Sequence, residues 1–334
     1  MESLFKSGFR SFLESSYIDF IEYGNTFIFP DFQFSVELIE AGKEPEFQRK
    51  SSHDFPTEIM ELEDRVQRYS GTELHTNYQI TNEVDFCDKL GNKEDKVYLF
   101  EDRWWAAREM VQERILARLE RFRSVFARKC KVLSGRENPQ LAEEVREFLQ
   151  KNHSYYNAKC RYRYALEFEG EIVAVATFSE GRPMVRKLSD MLKNVPKEEQ
   201  MEEDGSLRED IVIFDSYEWV RYASLPGIRV VGGMGKLLNA FIEERYTRIQ
   251  PGTPMEIMTY SDTEWGNGDV YLKLGFRYAG ERPPVEYHIH KQNYTRFQQR
   301  LYEKELQQGA LPREFYTIKN LGSKKFLMQI IPSM

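Results

Sequence analysis

The stretch that most constrains this chain runs from Arg229 to Phe276. It opens with Arg229-Val-Val-Gly-Gly-Met-Gly-Lys236 and continues as an amphipathic run over residues 237–246. An apolar strand pattern follows, Met255-Glu-Ile-Met-Thr-Tyr-Ser-Asp262, and the segment closes with Trp265-Gly-Asn-Gly-Asp-Val-Tyr-Leu-Lys-Leu-Gly-Phe276. The order reads strand, glycine loop, helix, strand, short helix. Glycines directly before a helix let the backbone approach a ligand, and the free first-turn N–H groups and helix dipole then favour phosphate. The layout is that of a phosphate-binding turn. Its candidate donors are the backbone amides of Val231, Gly232, Gly233, Met234, Gly235 and Lys236.

The rest of the chain bounds what surrounds that turn. At 334 residues it is long enough for two modest domains, or for one core with a large extension. Hydrophobic residues make up 41% and aromatics are frequent, which argues for a folded chain rather than disorder. No apolar run approaches the roughly 20 residues of a membrane span, and the N-terminus lacks the basic start and apolar stretch of a signal peptide. Cys87, Cys130 and Cys160 form no zinc or disulfide pattern, so ordinary thiols in a reducing cytoplasm are expected. The net charge of −7 disfavours non-specific nucleic-acid binding. Locally the balance differs: residues 102–136 are rich in Arg and Lys, and residues 197–210 in Asp and Glu, a pattern expected of a solvated helix and a solvated loop.

Residues 1–100 carry no chemical signature. Apolar spacing predicts a helix over 5–20, strands over 26–29 and 32–39, a loop over 40–57, a short helix over 58–69 and a strand over 96–100. His53 and His75 read as surface imidazoles. Trp104, Ala107, Val111, Ile115, Leu119, Phe122 and Phe126 recur at helical period, predicting one helix with Arg114, Arg118 and Arg121 on another face. Asn138-Pro139 begins a second helix, ending near His153, which reads as a hydrogen-bonded terminal histidine. Strands over 160–168 and 171–179 meet at Glu169-Gly170 as a hairpin. Residues 181–210 read as a charged flap, and 211–224 as one long strand interrupted near Asp215-Ser216. Beyond Phe276 come a strand over 285–290, a polar helix over 293–307 and a closing hairpin around Leu321-Gly322. His288 and His290 share one strand face and read as sheet surface rather than a metal site.

Residues 148–290 resemble the core of the GNAT superfamily of acetyl-CoA-dependent N-acyltransferases. There a Q/R-x-x-G-x-G/A loop holds the coenzyme A pyrophosphate, and a later Tyr-x-x-x-Gly-Phe carries the acid for the leaving thiolate. Gly233-Met-Gly235 fits the first, although Val230 stands three places before Gly233 and the basic residue is Arg229. If Gly232 is aligned instead, Met234 replaces the second small residue. Tyr271-Leu-Lys-Leu-Gly275-Phe276 matches the second motif without adjustment. Within the superfamily, Tyr260-Ser-Asp262, Gly266-Asn-Gly268, Tyr271 and Gly275-Phe276 are similar to the signature of phage Mom-type DNA-modification enzymes. Glu218-Trp-Val-Arg221 before Val-Gly-Gly resembles GNAT-like domains appended to homing-endonuclease proteins, as does the segment 100–130.

The resemblance implies an α+β fold: a mixed, mostly antiparallel sheet flanked by helices, preceded by an N-terminal α/β extension. It places an extension over 1–135, an acyl-CoA-binding domain over 136–292, and a helix and hairpin over 293–334 that pack on the core. Acetyl-CoA, or a related thioester, would lie in the gap where the fourth and fifth strands splay. Direct transfer to an amine then needs a base and an acid. Tyr271 is the acid candidate and Glu218 the base candidate. A salt bridge to Arg221 is the competing role for Glu218, but strand alternation puts the two on opposite faces unless a bulge intervenes. Asp262 is a second carboxylate at the cleft, where capping is its competing role. Arg221 and Trp265 would suit a planar or anionic substrate. The acceptor is then a small-molecule or macromolecular amine, in a protein of the cytoplasm without a membrane. Two alternatives remain. One is base modification in nucleic acid, with Arg114, Arg118 and Arg121 tracking phosphates, against the acidic charge; the other is a binding module without catalysis.

Overall fold

A computed structural model describes residues 2–43, 95–187, 211–246 and 254–330. They form two compact units. The first takes Met1–Asp102, Tyr287–Lys291 and Arg296–Lys319, and the second Arg103–Glu286, Gln292–Thr295 and Asn320–Met334. The helix expected over 58–69, His53, His75 and Cys87, and most of the expected 40–57 loop and 181–210 flap, lie outside the described residues.

The first unit begins with α1 (Leu4–Ser15), capped by the Ser3 hydroxyl, which accepts the Lys6 N–H at 3.2 Å. Phe5, Phe9, Phe12 and Leu13 fall on one side and are buried. The sheet β1 (Ile21–Tyr23), β2 (Thr26–Phe29), β3 (Phe34–Ile39) and β4 (Asp95–Phe100) pairs in that order, antiparallel until the parallel β3–β4 pair. A second sheet of this unit sets β14 (Glu286–His290) between β15 (Arg296–Phe297) and β16 (Phe315–Lys319). His288 stacks on Tyr302 of the last helix, α7 (Gln299–Gln307), at 3.8 Å and bonds to Gln299 at 2.8 Å. It is sheet surface, as expected, and the described residues hold no cluster of three or more metal-ligating side chains.

The second unit is a mixed, mostly antiparallel sheet with helices on both faces. Its strands run in the order β6 (Lys131–Ser134), β7 (Tyr162–Phe168), β8 (Glu171–Phe178), β10 (Ile211–Ser224), β12 (Met255–Asp262), β17 (Ser323–Ile330), β13 (Arg277–Arg282). Only β10–β12 is parallel along this order. The β7–β8 hairpin turns at Glu169-Gly170, both at positive φ, which is the handedness a two-residue turn between twisted strands requires. The class is the α+β one expected.

On one face lies α5 (Gly233–Tyr246). Its Phe241 stacks on Phe178 of β8 at 4.0 Å and meets Tyr217 of β10 edge-on at 5.2 Å. On the other lies α4 (Leu141–Asn152), whose Leu141, Val145, Phe148 and Leu149 pack with Ala165, Val175 and Ala223.

Several expectations change. The single helix over 104–126 is instead α2 (Glu101–Ala106), α3 (Arg108–Arg118) and a strand β5 (Arg123–Phe126). The break falls at Ala107, and the turn into the strand at Glu120, which has positive φ. Phe122 and Phe126 keep the helical spacing by coincidence, because residues 123–126 pair in parallel with β11 (Ile228–Val231) and that ladder overrides local propensity. Arg182–Lys187, expected in a loose flap, forms β9 against the start of β10. The long strand is not interrupted at Asp215-Ser216; its irregularity is a register shift between Trp219 and Arg221. Nor do 315–330 close as a hairpin: β16 pairs with β14, and β17 with β12 and β13.

Candidate functional site

Strands β10 and β12 pair over four positions only, Asp215↔Met255 to Glu218↔Met258. Beyond them β10 follows β8 through Ser224, while β12 follows β17 through Asp262. The Thr259 hydroxyl donates to Trp219 O at 3.2 Å, a last link at the fork. The middle of the sheet therefore opens as a V.

Alternation assigns side chains to those faces. Trp219 and Tyr222 join the core beneath α5, as does Ile257 two places before Thr259. Ala223 packs beneath α4. The bulge at residue 220 restores what simple alternation forbids. Trp219 stands opposite Phe178 and Arg221 opposite the next residue, Thr177, so Glu218 and Arg221 share the α4 face. The Glu218 charge acts on the Arg221 guanidinium, whose pKa burial nevertheless lowers. Arg221 Nε donates to Tyr156 O at 3.2 Å. The sequence-predicted pair is thus brought together by a feature that only the register reveals.

On the α5 face sits the glycine turn. Gly232, at φ +76°, directs the chain from β11 into the helix. The first N–H to close the helical ladder is that of Lys236, bonded to Gly232 O at 3.0 Å. The amides of Gly233, Met234 and Gly235 precede it and have no carbonyl a turn behind to bond. A Cβ at Gly233 would lie 2.9 Å from Tyr222 Oη, so the Tyr222 phenol supports the turn from below; burial raises its pKa to about 12. An open groove of about 1140 Å³, mouth included, runs past this helix end, lined by Val231, Gly232, Gly235, Lys236, Ala127 and Arg128 among others. The Lys236 ammonium is turned aside, donating to Ala127 O at 2.9 Å and Cys130 O at 2.6 Å. What the groove offers at this helix end is therefore backbone amide rather than the Lys236 ammonium, with Arg128 and Glu243 also on its wall. Arg229 lies over Phe122, 5.2 Å from the ring centre.

Tyr271 stands at the fork. Its short helix α6 (Asp269–Lys273) follows Gly268, where a Cβ would come 2.4 Å from the Phe326 ring, so only glycine admits the helix this close to the sheet. The Tyr271 ring meets Trp219 at 6.0 Å, Phe276 at 5.8 Å and Phe326 at 5.3 Å. Burial raises its pKa, against the Thr259 hydroxyl hydrogen-bonded beside it. The phenol keeps its proton at neutral pH.

The α4 face of the fork holds the charged side chains. Asp262 Oδ2 accepts from Tyr155 Oη at 2.7 Å and Oδ1 from Glu264 N at 3.0 Å, so the carboxylate anchors two loops. The Tyr155 ring lies between the guanidiniums of Arg103 at 4.6 Å and Arg221 at 5.8 Å. Trp265 is buried, with the Arg114 guanidinium 3.8 Å over its indole, and its carbonyl accepts from Arg118 Nη2. Arg114 also donates to Ser154 Oγ at 3.2 Å, and burial lowers its pKa to about 10. His153 ends α4 as expected, its Nδ1 accepting the Tyr155 N–H at 3.1 Å. Burial, then Arg221, Arg114 and Arg103, hold its pKa down at about 3, so the ring is neutral.

Sequence reasoning put Arg114 and Arg118 on an outer face. The structure turns both inward, onto Ser154 and the Trp265 loop, and Arg103 and Tyr155 complete a cluster that carried no motif. A signal existed: Arg114 and Arg118 lie three and seven places after the buried Val111, on the flank of the same stripe.

No protein-family model matches this chain, and no curated protein does. Solved structures do. A ribosomal-protein-alanine N-acetyltransferase from Brucella melitensis is 12% identical over 60% of this chain and 98% of its own, with a TM-score of 0.28. The protein yncA from Salmonella typhimurium, solved with its cofactor acetyl-CoA, is 13% identical over 58% and 72%, with a TM-score of 0.26. A Drosophila melanogaster polyamine N-acetyltransferase that forms N-acetylagmatine is 10% identical over 60% and 100%, with a TM-score of 0.27.

Proposed function

We propose that the chain is an acyl-CoA-dependent N-acyltransferase that transfers an acetyl or related acyl group directly to an amine. One observation carries this reading: the glycine turn at the head of α5 and the phenol of Tyr271 flank a fork between β10 and β12 that opens after Glu218 and Met258. The motif resemblance expects a thioester in such a fork. The free amides of Gly233, Met234 and Gly235 at the head of α5 would take the pyrophosphate in the open groove, by charge–dipole attraction and direct hydrogen bonds. The pantetheine arm would then enter the V, bringing the thioester to Tyr271.

Glu218 lies on the opposite face, at the last paired position, within reach of an amine arriving from that side. As base it would take the ammonium proton; the free amine attacks the thioester carbonyl, the C–S bond breaks as the phenol of Tyr271 protonates the thiolate, and the second proton, shed by the nitrogen as it becomes the amide, restores the phenol. Asp262 serves this reading as the anchor of Tyr155 and the Glu264 loop. Arg221 and Trp265 would shape the acceptor side.

Calorimetric titration with acetyl-CoA tests this, on the wild type and on Gly235→Glu. Position 235 is helical, and a Cβ there would meet only Leu274, at 3.4 Å. The new carboxylate favours the helix N-terminus but repels phosphate. We expect binding in the wild type and at least about a tenfold loss in the variant, an electrostatic penalty of roughly 1.4 kcal/mol. Tyr271→Phe is expected to bind acetyl-CoA normally and to lose turnover by about 10²-fold. A wild type that gives no heat with acetyl-CoA removes the cofactor and the reaction with it.

A further inference from the structure

The α4 face of the fork holds a second recess, apart from the groove at the glycine turn. It lies between α3, the Ser154–Tyr156 loop and Trp265, a narrow recess of about 320 Å³ with its mouth counted, of which a water-sized body reaches about 20 Å³. An anionic group would enter it only by its tip, against the guanidiniums. Two guanidiniums, of Arg103 and Arg114, line it.

Their partners are poor for buried cations. Arg103 Nε is buried without a hydrogen-bond partner, and the nearest carboxylate oxygen, Glu264 Oε2, is 3.9 Å away. Its Nη1 reaches only the Ser154 carbonyl, at 3.4 Å. Arg114 donates to a neutral hydroxyl and lies over the face of an indole, with the Asp262 and Glu264 charges acting on it through space. Asp262, whose carboxylate faces this loop, is occupied by Tyr155 Oη and a backbone amide. Cationic side chains taken out of water are held favourably when paired with an anion, and a fork of N–H donors suits a carboxylate or phosphate best. Burial lowers the Arg114 pKa against the pull of Asp262, and burial followed by Arg221, Arg114 and Arg103 lowers that of His153.

We infer that this recess receives an anionic group of the acceptor, so that the acceptor is an amine also carrying a carboxylate or a phosphate, and not a polyamine. The inference rests on the acyl-transfer reading for the word acceptor, but the anion site itself does not. Recess, Tyr155, Arg221 and Glu218 form a continuous path. Tyr155 stacks against both Arg103 and Arg221, and the Glu218 charge acts on Arg221. An amine tethered to an anion in the recess would be led to the fork, whereas a di-cation would meet guanidiniums of its own sign.

Thermal melting in the presence of coenzyme A, at fixed ionic strength, reads this with four probes: β-alanine, phosphoethanolamine, ethanolamine and putrescine. We expect β-alanine or phosphoethanolamine to raise Tm by about 2 °C or more at a concentration well above its Kd, and ethanolamine and putrescine to leave it unchanged. The better of the two anions distinguishes carboxylate from phosphate. Arg114→Met should abolish the shift while acetyl-CoA affinity by calorimetry stays the same. If that variant does not fold, Arg103→Gln, at a partly exposed position, carries the same expectation. A shift from putrescine or ethanolamine equal to that of the anions, no shift from any probe, or an anion shift that survives both substitutions would overturn the inference. An arginine-dependent anion shift in a protein that fails to bind acetyl-CoA would keep the site and sink acyl transfer; acetyl-CoA binding without an anion shift would do the reverse.

Discussion

His153 shows how much one position draws from its surroundings. In the sequence it is a histidine at the end of a helix. In the fold its Nδ1 accepts the Tyr155 N–H, and burial with three arginines keeps the ring neutral down to about pH 3. The unfolded chain protonates near its ordinary value of about 6.5, so between those limits the unfolded state binds the extra proton. The stability that His153 contributes is therefore complete above pH 6.5 and lost as pH falls toward 3. The slope approaches roughly 1.4 kcal/mol per pH unit at most. Denaturant midpoints measured between pH 7 and pH 4 should fall more steeply in the wild type than in His153→Gln, which carries no titrating ring; parallel curves would contradict this. At Glu218 and Arg221 the residue scale teaches the opposite lesson. Their identities were legible, but their shared face depends on a bulge that leaves no mark in the sequence.

Elements were legible where a single period and clear punctuation coincided. Strand β12 runs Met255–Asp262 as read, and the β7–β8 hairpin turns at Glu169-Gly170. The glycine turn opens α5 four residues before the amphipathic run, because the glycines themselves supply the first turn. Residues 104–126 failed for a definite reason: a helical repeat was sustained by chance across a break at Ala107 and into a strand whose partner, β11, lies about a hundred residues later. Long-range pairing is invisible to a local window. The element that holds the glycine turn in place is α5, through Phe241, stacked on Phe178 and edge-on to Tyr164 and Tyr217. Phe241→Ala leaves a cavity beneath the helix and should cost about 3–5 kcal/mol, read as a lower urea midpoint with an unchanged m-value. A loss below about 1 kcal/mol would mean the aromatic stack is not what seats the helix.

For the molecule as a whole, net charge and the fate of the arginines bear on partners. The chain carries −7, and Arg114 and Arg118, once candidates for tracking phosphates along a duplex, are bonded inward. Binding without sequence preference needs several exposed cations per site, each releasing counterions. Fluorescence anisotropy with a labelled duplex of about 20 base pairs at roughly 150 mM salt should show no association tighter than about 10⁻⁴ M. Micromolar, salt-sensitive binding would restore the nucleic-acid reading. No helix among the described residues is long and apolar enough to cross a membrane.

By itself the sequence determined the local pieces: where glycine frees the backbone before a helix, where alternation makes a strand, and the short helix that carries Tyr271. Those follow from steric and periodic rules that act within a few residues. The tertiary structure decided which pieces meet. It opened the fork after Glu218, set a bulge that turns Arg221 to the side of Glu218, and gathered Arg103, Arg114, Tyr155 and Asp262 from distant parts of the chain. Strand register and the burial of charge are settled by partners far away in sequence, so no local pattern could have fixed them.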